Sequence, residues 1–261
     1  MTSDEIKKIS TLINISLDKA EYHWQNGGYQ LMLESSESRD LIKANAQDEA
    51  ISRIPGHNIV RSNETIIDEF VAMVVDMRDS TQHLMCATAK DRGDISELQR
   101  VFYETSALLP ALEATVNLSK GSVTEYLGDG ILAFFRCDKD NPEQAIYSAH
   151  AAAKNCLEKT RELVNAALKA RYNLEPMDIG IGLAKSQAII SLAGLQDAPH
   201  PKAFGKCVFR ATKLSSGRNI IYIDENLEAS WPTAKGGKLK FIKKTTDIKG
   251  VTAFSIERNK S

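Results

Sequence analysis

The sequence predicts an α/β domain built on a mixed sheet with flanking helices. Three observations carry that expectation. Phe70-Val71-Ala72-Met73-Val74-Val75 is an unbroken apolar run with branched residues and no Gly or Pro, the pattern of a strand buried on both faces. Val123 to Phe135 reads as a hairpin, with Val123, Glu125 and Leu127 alternating against Thr124 and Tyr126, a Gly128-Asp129-Gly130 turn, and Ile131 to Phe135 as the return strand. Ile146, Ala149, Ala153, Cys156, Leu157 and Val164 then form an apolar stripe along one long helix. Hairpins interrupt the alternation of strand and helix, so the sheet is not strictly parallel.

Taken in order, residues 1–64 read as a polar, helical N-terminal extension, and residues 65–258 as one domain of ordinary size. Ile6, Ile9, Leu12, Ile13 and Ile15 predict an amphipathic helix. Gly27-Gly28 ends it, a second helix is expected from about Ser36 to Arg53, and Pro55-Gly56 marks a loop. The apolar strand stops at Asp76. Asp79, Ser80 and Thr81 are then capping residues for a helix that includes Leu84 and Met85. Ile95 to Leu118 is helical in pattern, with Pro110 expected to bend or restart it. Asn141-Pro142 supplies an N-cap and a proline at the first helical position of the striped helix. Two further strands, a loop with Pro199 and Pro201, another helix and three short strands complete the pattern.

Composition excludes several classes. A net charge of −1 argues against a broad nucleic-acid surface. No apolar run approaches the roughly 20 residues that cross a bilayer. The start, MTSDEIKKIS, lacks the apolar core of a signal peptide, so a cytoplasmic location is expected. Cys86, Cys137, Cys156 and Cys207 form no C-x-x-C pair and read as reduced thiols, and five scattered histidines do not favour a His/Cys metal site. No GxxxxGK[ST] occurs, which argues against a P-loop enzyme.

The chemistry concentrates in Phe70–Thr81 and Val123–Phe135. Each places an aspartate, Asp76 or Asp129, where strand gives way to turn. Carboxylates ending adjacent strands make a two-metal site for a nucleoside triphosphate, because divalent ions neutralise phosphates and activate a hydroxyl. The unpaired N–H groups of the turn and helix start after Asp76 favour an anion, so Arg78, Asp79, Ser80 and Thr81 become the phosphate-binding candidates.

These residues carry a resemblance. A strand ending in Asp-x-x-x-Ser/Thr-Thr, followed by a Gly-Asp-Gly/Ala hairpin, resembles the catalytic domain of the class III nucleotidyl cyclases. MDIGIGLAKSQAIISLAGL (Met177 to Leu195) resembles that family's next strand pair, FGKCVFRATKLSS (Phe204 to Ser216) its triphosphate-facing helix, and IKGVTAFSIE (Ile248 to Glu257) its closing Lys-Gly strand. The resemblance implies two Mn²⁺ or Mg²⁺ ions per site held by Asp76 and Asp129, with the Met77 carbonyl as a backbone ligand. It implies attack of a ribose 3′-oxygen on the α-phosphorus and release of pyrophosphate. It also implies a head-to-tail homodimer with composite sites.

The same resemblance places Glu125 and Lys202 at base-reading positions. The helix that usually carries an Asn and, four residues on, an Arg has Phe209 and Lys213 instead, with Arg210 beside them, so either Arg210 or Lys213 stabilises the transition state. An acceptor at Glu125 and a donor at Lys202 match an N–H beside a carbonyl, an edge that guanine and uracil both present. Phe209 crowds the pocket toward the smaller base. The chain is thus most similar to the bacterial pyrimidine (uridylate and cytidylate) cyclases of Pycsar anti-phage defence, and UTP is the expected substrate. The product would act on a separately encoded effector that this chain does not itself bind. A cytidylate cyclase, a conventional guanylate or adenylate cyclase, and an inactive cyclase-fold binding module remain the alternatives.

Overall fold

In a computed structural model of the protein, the described residues are 1–27, 49–81, 95–195, 197–233, 237, 239–244 and 250–258. In chain order it runs α1 (Ser3–Gln25), β1 (Glu49–Ile51), β2 (Ile59–Arg61), β3 (Ile66–Met77), α2 (Glu97–Leu118), β4 (Ser122–Tyr126) and β5 (Gly130–Arg136). Then come α3 (Pro142–Asn155), a π turn (Cys156–Thr160), α4 (Arg161–Tyr172), β6 (Ile179–Ala193) and β7 (His200–Gly205). The chain ends with α5 (Lys206–Leu214), β8 (Ile220–Asp224), α6 (Glu225–Ala229), β9 (Leu239–Lys244) and β10 (Ala253–Arg258). The main sheet has the order β4-β5-β3-β6-β8-β10-β9, and β7 pairs with the second half of β6. All pairings are antiparallel except β6 with β8, so the sheet is mixed, as expected.

The period of two along β3 sorts its side chains between two cores. Val71, Met73, Val75 and Met77 join the larger core beneath α1 to α4. Phe70, Ala72 and Val74 join the smaller one, with Ala184 and Ala188 of β6, Ala203 of β7 and Cys207 and Ala211 of α5. Asp76 therefore shares the face that carries β7 and α5. The terminal helix belongs to the larger core: Ile9, Ile13, Leu17, Ala20 and Trp24 are buried there, and Arg171 of α4 bonds Asp18 and Glu21. Ile15, expected on that stripe, falls between its turns and is exposed.

Several local expectations change. Residues 49–51 of the expected helix at 36–53 are strand β1, paired with β2, and residues 36–48 lie outside the described residues. Leu84, Met85 and Cys86 lie outside them as well, as do Gly28, Ile248 and Lys249. Helix α2 continues through Pro110, with Ala107, Leu108, Ala111 and Leu112 buried on both sides of it. Pro142 does take the first turn of α3, but Asn141 makes no side-chain cap. Met177–Leu195 contains a single long strand rather than a pair. It has no internal turn, because β3 pairs along its length while β8 and then β7 occupy its other side. Pro201 sits in β7, an edge strand, where a missing N–H is tolerated. Cys137, Cys156 and Cys207 are buried free thiols; burial pushes Cys137 up to about 12 and Cys156 and Cys207 up as well, so they stay protonated.

Candidate active site

The site begins with the pairing of β3 and β5, which sets Asp76 opposite Gly130. A Cβ on Gly130 would lie 2.4 Å from the Val75 carbonyl oxygen and 3.2 Å from Asp76 Oδ1. Only glycine lets the turn come this close to β3. Gly128, at φ 76°, completes the reversal. The result is one cavity of about 450 Å³ lined by Asp76, Met77, Arg78, Asp79, Ser80, Thr81 and Asp129. All the metal and phosphate candidates therefore meet in one place. Ser80 and Thr81 take helical backbone at the end of this lining segment. Larger hollows lie elsewhere. One of about 880 Å³ between α3 and the strands β8, β9 and β10 is lined by Leu157, Ile221 and Ile256 with mixed charges, and lacks any carboxylate at the β3 or β5 end.

Arg78 dominates the cavity's electrostatics. Its guanidinium pairs with the Asp76 carboxylate and donates through Nη1 to the Ser216 carbonyl at 3.3 Å. Its backbone N–H donates to the Asp178 carbonyl at 2.8 Å, and its buried Nε has no partner. Burial lowers the Arg78 pKa against the opposing pull of Asp129 and Asp79. Asp79 takes a left-handed backbone, φ 61°, and its carboxylate accepts from Arg218 at 2.5 Å.

Four residues here escape sequence reading. Asp178, immediately before β6, accepts from Arg218 (2.6 Å), Asn219 (2.6 Å) and Arg161 (3.4 Å). Burial would raise the Asp178 carboxyl, but the Asn219 and Arg218 hydrogen bonds outweigh it and hold the group below its ordinary value. Nothing in the local pattern distinguishes these residues from a solvated turn. The parallel pairing of β6 with β8 brings Asp178, Arg218 and Asn219 together beside Asp79 of the cavity wall, and Arg161 reaches Asp178 from α4.

The base-reading candidates also meet. Lys202 on β7 donates to Glu125 on β4 at 2.8 Å. The simple alternation read from the sequence would put Glu125 beside Val123 on the helix-covered face. A bulge at Thr124 overturns that: Val123 sits opposite Ala133, whereas Glu125 sits opposite Leu132, on the face of Asp76. On α5, Phe209 is 60% exposed and Lys213 Nζ lies 5.8 Å from its ring centre. Arg210 points inward, bonded to Asp224 at 3.0 Å and Glu225 at 2.8 Å. Asp224 is fully buried and also caps α6, so it needs that cation. Of the two cations considered for the transition state, Arg210 is committed to this pair and Lys213 stands at the exposed face.

Known structures share the architecture. The guanylyl cyclase Cya2 superposes with a TM-score of 0.59 at 17% identity, over 73% of this chain and 92% of that one. The adenylyl cyclase CyaB from P. aeruginosa gives 0.60 at 15%, over 76% and 97%. The guanylate cyclase domain of RhGC from Catenaria anguillulae, in complex with GTP, gives 0.54 at 16%, over 76% and 100%. The fold is that of the class III nucleotidyl cyclase domains. No protein-family model and no curated protein matches the sequence.

Proposed function

We propose that the chain is a nucleotidyl cyclase that converts UTP to 3′,5′-cyclic UMP and pyrophosphate. The observation that carries the reading is the meeting of Asp76 and Asp129 in one cavity on a cyclase fold. Among the described residues no cluster of three or more His, Cys, Asp or Glu forms a ready-made metal cage. Two carboxylates and the Met77 carbonyl are hard oxygen donors, however, and suit Mn²⁺ or Mg²⁺ ions that complete their shells with phosphate oxygens and water. The metal would acidify the ribose 3′-hydroxyl and neutralise the phosphates. Arg78 would have to leave Asp76 for the ions to bind, and the phosphates offer it a new anion. The 3′-oxygen forms its bond to the α-phosphorus as the bond to the bridging oxygen breaks. The hydroxyl proton passes to solvent, and Lys213 faces the charge that develops.

For the base, Glu125 accepts from N3–H of uracil and Lys202 donates to O4; in the free protein they satisfy each other. Phe209 favours the smaller ring. The purine alternative keeps one specific support, since the solved structures of this fold are adenylyl and guanylyl cyclases. We take the active form to be a head-to-tail homodimer. None of the described helices is long and apolar enough to cross a membrane, and we infer a cytoplasmic enzyme whose product serves as an anti-phage second messenger.

Incubating the purified chain with each of the four ribonucleoside triphosphates and Mn²⁺, then weighing the products, tests this. Cyclic UMP should dominate, and Asp76→Asn or Asp129→Asn should reduce turnover by orders of magnitude while preserving the circular dichroism spectrum. Faster use of a purine triphosphate or CTP would reject the substrate. Full activity in either variant would reject the site.

A further inference from the structure

We propose that Arg218 is a triphosphate-binding residue, held ready at the cavity rim by two carboxylates of which one yields to the phosphate. The inference rests on the triphosphate reading of the acidic cavity and adds a residue to it.

The guanidinium is presented in a fixed orientation. Its Nη1 donates to Asp178 at 2.6 Å and its Nη2 to Asp79 at 2.5 Å, while half of the side chain remains exposed. The two carboxylates differ in kind. Asp178 is anchored by Asn219 and Arg161, and its main-chain carbonyl receives the Arg78 N–H. Asp79 lines the cavity on a left-handed turn; among the described residues its hydrogen bond is to Arg218, with Arg78 near enough to feel its charge. A planar guanidinium gripped on one side by a fixed carboxylate and on the other by a replaceable one is prepared to exchange anions without losing its position.

Charge decides whether such an exchange is needed. Asp76, Asp79, Asp129, the Arg78 guanidinium and two divalent ions together carry about two positive charges, against about four negative on a fully ionised triphosphate. Among the described lining residues of the cavity, Arg78 is the one cation. Arg218 is within electrostatic reach of Arg78 and in contact with the cavity wall, so it supplies part of the missing charge. When a phosphate oxygen takes the place of the Asp79 carboxylate, Asp79 turns to solvent and Asp178 keeps the arginine at the rim.

The alternative is that Arg218 merely clamps the Asp79 turn. The two roles separate in a binding experiment on the full-length chain with Mn²⁺ and inorganic tripolyphosphate, followed by calorimetry. Arg218→Ala should weaken tripolyphosphate binding about tenfold or more, the size expected of a charge-assisted contact, with Arg218→Lys recovering part of the loss. Binding of UMP should change less than twofold. Asp79→Asn cuts the same clamp but removes the competing anion, so it should tighten tripolyphosphate binding. Equal weakening by Arg218→Ala and Asp79→Asn would show a clamp and overturn the proposal, as would an Arg218→Ala variant that binds normally. If the unaltered chain binds no tripolyphosphate, the triphosphate reading of the cavity fails first, and this inference with it.

Discussion

Glu125 owes its place to a single extra residue. Without the bulge at Thr124 its carboxylate would enter the core beneath the helices, where an unpaired charge costs several kcal/mol. With it, Glu125 reaches Lys202. A base bound between them must match both, and a mismatched buried polar pair is worth orders of magnitude in specificity. Glu125→Gln should therefore cut the preference for UTP over CTP by about tenfold or more, read from paired competition assays, with the fold unchanged. Arg210 shows the opposite situation. Its removal leaves Asp224 buried and unpaired, at a cost of about 3–5 kcal/mol. Lost activity in an Arg210 variant thus reports stability, and Lys213→Ala is the informative substitution.

At the scale of elements, α5 is placed by the glycines of β6. A Cβ on Gly182 would come within 2.0 Å of the Ala211 carbonyl, and one on Gly180 within 2.0 Å of the Ser215 carbonyl. The helix lies directly on the strand backbone, which leaves Phe209 and Lys213 on its exposed face and brings the 216–219 turn to Arg78. Rigid backbone on both sides leaves no flexible side chain to yield. Gly182→Ala should cost about 1–3 kcal/mol or more, measured by urea unfolding, and should lower turnover further by displacing α5. The Ile-Gly-Ile-Gly pattern is visible in the sequence, yet the pattern alone does not say what approaches the glycines. The length of β6 was hidden for a related reason. Lys185-Ser186-Gln187 is a polar stretch, but β3 pairs with it throughout, and the Lys185 N–H donates to Asp224 on the other edge.

Across the whole molecule, two layers of unequal size flank the sheet. The larger holds α1 to α4, with Met77 buried in it and Arg161 at its margin; the smaller leaves Asp76, Glu125, Lys202 and Lys213 on one open side. If a second copy completes that side, mixing inactive Asp129→Asn with inactive Lys213→Ala should restore a quarter or so of the sites, since one interface in the mixed dimer combines intact halves. Recovery is read as cyclic nucleotide formed by the mixture against each variant alone, with mass photometry confirming mixed dimers. Confirmed mixed dimers without recovery would assign each site to one subunit.

The sequence by itself determined the central strand β3, the hairpin and the positions of both aspartates at their ends, because these depend on short-range pattern: an apolar run ended by a carboxylate, and a turn that requires glycine. Tertiary structure alone decided the rest. A one-residue bulge reverses which face Glu125 occupies, and no local pattern announces it. The pairing of β6 with β8 assembles Asp178, Arg218 and Asn219 around Asp79 from segments some forty to one hundred and forty residues apart. A buried Asp224 claims Arg210 through a contact fourteen residues distant. Each outcome turns on which charge finds which partner, and that is settled only when the strands have paired.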